Sequence, residues 1–133
     1  MAFVPVRLRP GDDLREALEA AVAPGESAFV VAGIGSLTEG RLRFADRRDA
    51  QSVPGPLEII SLSGTLTPDG AHLHMTVSDD DGRVAGGHVG HGNIVRTTAE
   101  VLLAPLPDWS LTREPDADTG YDELVVRRRV DSC

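Results

Sequence analysis

Apolar and polar positions change their period along the chain, and these changes divide it into elements. Residues 3–8 (FVPVRL) alternate and read as a strand. Pro5 confines that strand to a sheet edge, because proline has no N–H to give to a second neighbour. After Arg9-Pro10-Gly11 the period becomes helical, with Leu14, Ala17, Leu18, Ala21 and Val22 on one face. Asp12 or Asp13 can cap this segment and Pro24-Gly25 stops it, which predicts one main helix over about residues 12–23.

The signal then turns to strands. Ala28 to Ile34 is an apolar run expected to be buried, followed by a Thr-Glu-Gly turn at 38–40 and a return strand from Arg41 to Phe44. Residues 46–56 (DRRDAQSVPGP) read as a polar loop broken by proline and glycine. Leu57 to Leu66 is β-rich, and Thr67-Pro68-Asp69-Gly70 is a turn in which proline presets the second position. Asn93 to Ala104 fits a long strand or a short helix, and its Val, Ile and Thr content favours the strand. The loop PDADTG and a last apolar stretch, Leu124 to Val126, close the pattern. Repeats, low-complexity linkers and a second core are all missing from the pattern, so residues 1–133 are expected to form one α+β domain with a mostly antiparallel sheet.

The segment between those strands carries the chemistry. HLHMTVSDDDGRVAGGHVGHG, residues 72–92, contains all four histidines of the chain: His72, His74, His88 and His91. Asp80-Asp81-Gly82 reads as a three-residue hairpin loop whose last position is left-handed, which glycine adopts without steric cost. Asp79 then faces Arg83, His74 faces His88, and His72, two residues along on the same face, is expected opposite Gly90. Leu73, Met75 and Val77 point the other way with Val89 and Ala85, as a core face. Opposed side chains on such a ladder stand about 4.5–5.5 Å apart at Cβ, close enough for three imidazoles to share one ion. His72, His74 and His88 are therefore the candidate ligands of a divalent metal, zinc first. Gly86, Gly87 and Gly90 are expected to leave room for the ion, a water or a second chain. His91 has the wrong parity and stays outside.

Other motifs carry less. Asp79-Asp80-Asp81-Gly82 lacks the alternating spacing and distal glutamate of a calcium loop and is read as turn chemistry. Gly33-Ile34-Gly35 is not a dinucleotide fingerprint, and the chain has no GxSxG nucleophile elbow. No nucleophile is recognised, so the catalytic residues stay unassigned. Glu58 and Glu100, polar residues within strand-like segments, are the candidates for a general base should the metal activate water.

Composition narrows the function classes. Aromatics make up only 4% of the chain, so the core must be aliphatic. The net charge of −8 argues against a surface that tracks nucleic-acid phosphates. All basic residues are arginine; Arg41, Arg43, Arg47 and Arg48 read as a solvated loop and Arg127, Arg128 and Arg129 as a frayed tail, with a docking patch for an acidic partner as the alternative for either. The lone cysteine, Cys133, together with the lack of a signal-peptide pattern or a long apolar run, leads to the expectation of a cytoplasmic protein in a reducing compartment.

Four blocks, SAFVVAGIGSLTEGRLRF, GPLEIISLSGTL, HLHMTVSDDDGRVAGGHV and NIVRTTAEVLL, together with the late TREPDADTGYDELVV, resemble the successive blocks of the plants-and-prokaryotes conserved (PPC) domain. In plants this domain is fused to AT-hook segments; bacterial members stand alone and often carry a DNA-binding label. The resemblance implies a compact domain that assembles as a homotrimer and a metal site at the positions of His72, His74 and His88. GHGN (Gly90 to Asn93) departs from the more apolar stretch usual there, and the Arg-Gly-Arg-Pro core of an AT-hook is missing. Three functions compete on these grounds: a trimeric metal-binding module with a regulatory or interaction role, a metal-assisted hydrolase or lyase, and, least favoured by charge, a direct DNA binder.

Overall fold

The computed structural model describes residues 2–130, so Cys133 lies outside the described residues. Eight strands and one helix follow in the order β1 (Val4–Leu8), α1 (Leu14–Ala20), β2 (Ala28–Arg43), β3 (Gln51–Thr67), β4 (Gly70–Ser78), β5 (Val84–Val89), β6 (Ile94–Pro105), β7 (Trp109–Pro115) and β8 (Asp122–Arg128). The first six strands form one antiparallel sheet in the order β1-β6-β2-β3-β4-β5, and β7-β8 is a separate hairpin. β5 also returns to the far end of β2, pairing Leu42 with Val89 and Arg43 with His88, so the β2-β3-β4-β5 ribbon curls back on itself. As its proline requires, β1 lies at the sheet edge, paired only with β6.

Several expectations change on meeting this frame. The helix ends at Ala20 rather than residue 23: Asp13 caps it through Glu16 N–H, and Ala21 closes it with a tight bond to the Leu18 carbonyl. Pro24 then disfavours helical backbone at the residue before it, and Gly25 takes φ +79°. Thr38-Glu39-Gly40 does not turn. It lies inside β2, where the register shifts between Leu37 and Glu39, and the bulge absorbs the polar residues without reversing the chain. The 46–56 loop is shorter than expected because β3 begins at Gln51 and pairs with Leu42. The Ala28–Ile34 run is not wholly buried either: it alternates, with Phe29, Val31 and Ile34 exposed and Ala28 and Val30 in the core.

The core is aliphatic. Leu14 and Leu18 of α1 pack over Leu37, Leu42, Leu57, Leu62, Leu73 and Leu103 from the sheet. Leu111 anchors the β7–β8 hairpin, and the arginines read as a frayed tail are held in place by it. Arg127 bonds Glu114 at 2.6 Å, Arg128 lies over the Trp109 ring, and Arg129 reaches Glu26. Among the described residues no helix is long and apolar enough to cross a membrane.

Candidate metal centre

The turn at Asp79–Gly82 sets the site. Asp79 Oδ1 accepts from the N–H groups of Asp81 and Arg83, and Gly82 takes φ +79°. These local bonds give the acidic run its work within the turn. The ladder that follows pairs His74 with His88, Met75 with Gly87 and Val77 with Ala85. Leu73, Met75, Val77 and Val89 are buried, so the opposite face of β4 and β5 is presented outward.

On that outer face three imidazoles meet. The His74 and His88 ring centroids are 4.6 Å apart and perpendicular; His72 lies 5.1 Å from His74 and 5.7 Å from His88, nearly parallel to the latter. One nitrogen from each ring falls within 4.8 Å of the other two. His72 is not placed opposite Gly90, because the β4–β5 ladder ends at His74 and His88 and β5 turns to β2; on its other side His72 pairs with Thr65 of β3. The ring still reaches the cluster, since β4 carries both His72 and His74 on one face. His91 stays apart, exposed, with Nδ1 3.7 Å from Asp13.

The glycines serve a different purpose from the one expected. A Cβ on Gly87 would stand 2.7 Å from the Arg43 carbonyl oxygen, so this glycine admits the backbone of β2 rather than an ion. Gly86 does face the site, lining a cavity of about 390 Å³ with His74, His88, Ser61, Ser63 and Thr76. A second cavity, about 520 Å³, adjoins His72 and His88 and is walled by Arg43, Arg113, Asp46 and Glu123. The centre therefore has open space on two sides.

Electrostatics favour the neutral form of two of the rings, His72 and His88. Partial desolvation lowers the pKa of His72 below its usual 6.5, helped by the positive charge of Arg113 and by the two other histidines; Glu123 pulls the opposite way. Partial desolvation and then the Arg43 charge lower that of His88. Neutral imidazole is the form that ligates metal.

The residues fit a metal ion. All three donors are nitrogens, and among the described residues none of the three rings is committed to a protein hydrogen bond. Tetrahedral zinc with bonds of about 2.0–2.1 Å holds its ligands about 3.3 Å apart, and ring rotation can close the present spacing. Three ligands leave a fourth position, and the cavities provide space beside it.

Glu58 and Glu100 are placed elsewhere. Glu58 pairs with Ser36 and Ser78 across β2 and β4, and Glu100 with Arg7 on β1 and Ile34 on β2. Neither lines a cavity that the histidines line. Sequence reading missed Arg113 and Glu123, which the β7–β8 hairpin brings to the centre, and assigned Arg43 to a solvated loop. Nothing local marks these residues, because each reaches the site through a long-range pairing.

A small, mostly antiparallel domain with a surface cluster of three imidazoles defines the class. Residues 1–107 match the Plants and Prokaryotes Conserved (PCC) domain, and the chain belongs to that family. A hypothetical protein from Salmonella cholerae-suis (Salmonella enterica) superposes with a TM-score of 0.92 at 40% identity, covering 97% of this chain and 95% of that one. A metal-containing protein from Archaeoglobus fulgidus superposes at 0.77 with 25% identity over 94% of each chain. The bifunctional protein GlmU of a Synechococcus strain is 45% identical over 129 residues, 96% of this chain but only 20% of that protein. The chain thus spans about a fifth of the curated relatives it matches.

Proposed function

We propose that this chain is a self-associating metal-binding module in which His72, His74 and His88 hold one divalent transition metal, zinc first, in a regulatory or interaction role. The observation that carries this reading is the convergence of three imidazoles whose nitrogens lie within 4.8 Å and are free of protein partners among the described residues. The metal content in the name of the Archaeoglobus relative supports it. Self-association as a homotrimer is supported by the outward apolar face of the large sheet, where Phe29, Val31, Ile34 and Ile60 are all at least 41% exposed. Beside Ile34 runs a groove of about 550 Å³, lined mostly by apolar residues of β1, β2 and β6. Such a face is costly to leave in water and fits a second copy. Direct DNA binding is disfavoured by the net charge of −8.

Metal analysis of protein purified without a histidine tag, paired with mass measurement by ultracentrifugation, tests both parts. The wild type should carry about one transition-metal ion per chain and sediment as a trimer. His74→Ala should lose the metal. Ile34→Asp should give monomers that keep it. Metal-free wild type, or His74→Ala that binds as tightly, overturns the site; monomeric wild type overturns the assembly.

A further inference from the structure

Two guanidinium groups stand beside the histidine cluster without a carboxylate partner. Arg43 comes from the end of β2, next to His88 in the register, and its Nη1 donates to the Arg47 carbonyl at 3.1 Å. Arg113 comes from β7, and its Nη2 donates at 2.9 Å to Oγ1 of Thr65, the β3 residue that pairs with His72. Both acceptors are neutral, and among the described residues neither arginine forms an ion pair. Both side chains are half-buried and wall the same cavity as His72 and His88.

For a centre that holds only a cation this placement is unfavourable. Two fixed positive charges near a divalent ion repel it, and the low dielectric of a partly enclosed cavity strengthens the repulsion. Asp46, Asp69, Asp122 and Glu123 line the same cavity, yet among the described residues none of them forms an ion pair with either guanidinium. The arrangement becomes favourable once a third, negative group is present, because an oxyanion attracts the metal and both guanidiniums together.

We propose that the metal centre is one half of a binding site for a small ligand with a single oxyanion, carboxylate or phosphate, which Arg43 and Arg113 grip from either side. The assignment deepens the metal-site reading and rests on it for the metal half alone; the arginine pair stands without the ion. The carboxylates in the cavity wall repel any further negative group on the ligand. That favours a ligand with one anionic group over one with several. Asp69, also in the wall, is engaged by the Arg113 N–H at 2.8 Å.

Cobalt(II)-loaded protein provides the test, with inorganic phosphate and acetate as probes and the visible spectrum of the cobalt as the readout. Phosphate, acetate or both should perturb the spectrum of the wild type, and whichever binds more tightly identifies the head group. Arg43→Gln and Arg113→Gln should each weaken that binding by about tenfold or more, the loss expected for a charge-assisted hydrogen bond. The same substitutions should leave cobalt affinity unchanged or tighter, since each removes a repelling charge. A merely structural role would weaken both together. Arg113→Lys, which keeps the charge, should retain part of the anion affinity. Anion binding unchanged in both glutamine variants, or absent from the cobalt-loaded wild type, overturns the proposal. If cobalt fails to bind, the metal reading falls by itself. The arginine pair is then judged on metal-free protein by following the guanidinium Nε–H signals of Arg43 and Arg113 during a phosphate titration; signals that do not move overturn it.

Discussion

Gly87→Ala should disable the metal centre without touching a ligand. The added Cβ would lie 2.7 Å from the Arg43 carbonyl oxygen and 3.2 Å from its carbon. Ordinary contact begins near 3.4 Å, so the two backbones must part by up to 0.7 Å. β5 meets β2 through only two pairs, Leu42 with Val89 and Arg43 with His88, so the separation falls on the pair that carries a ligand. Metal–ligand distances tolerate only about 0.2 Å, and a displaced His88 should reduce zinc affinity by about 10- to 100-fold. The fold itself should lose about 1–3 kcal/mol, the range for overpacking a tight contact. Competition against a chromophoric zinc chelator measures the first effect and urea denaturation of metal-free protein the second. Gly90→Ala is the control, because a Cβ there meets nothing within 4 Å. Gly86→Ala should be mild, with its nearest contact at 3.4 Å. Zinc bound as tightly by Gly87→Ala as by Gly90→Ala would refute the idea that close approach of β5 to β2 positions His88.

Two further outcomes follow from the same geometry. Burial and neighbouring positive charge lower the pKa of both His72 and His88 from 6.5, so protons compete with metal for these two nitrogens mainly on the acid side, and zinc affinity should fall as pH drops below about 6.5. The unfolded chain binds those protons first, so the stability of metal-free protein should also decline as pH falls from 6.5 through the lowered values, and less so in His88→Ala; chemical denaturation across pH 5 to 8 checks the sign. Asn93→Ala should destabilise the metal-free fold by about 3 kcal/mol, at about 1 kcal/mol for each hydrogen bond lost. The fully buried side chain of Asn93 accepts from Arg41 N–H at 2.8 Å and donates to the carbonyls of Arg41 at 2.9 Å and Gly90 at 3.0 Å. A loss under 1 kcal/mol in urea would show that water replaces those bonds.

What was legible in the sequence divides by the distance over which it acts. The hairpin register was legible because Asp79 and Gly82 determine it within five residues, and His74 opposite His88 followed directly from the turn. The helix start was legible for the same reason, through the Asp13 cap. β2 was not, because the Thr-Glu-Gly signal of a turn is also the signal of a bulge, and only the pairing of β2 with β3 and β6 on either side decides between them. Asn93 read as a strand start within an unusual GHGN stretch, yet it is the residue that ties this stretch to β2.

The candidate site shows the same division, with a functional consequence. Its three imidazoles belong to one hairpin and could be found by parity. The guanidiniums proposed to choose its ligand belong to β2 and β7, 29 and 41 residues away from His72 along the chain. They arrive through the curl that brings β5 back to β2 and through the Asp69 and Thr65 contacts of the second hairpin. Metal ligation can therefore be built locally while ligand choice is built by topology. Substitutions within the hairpin should change whether metal binds, and substitutions at Arg43 or Arg113 should change what binds beside it.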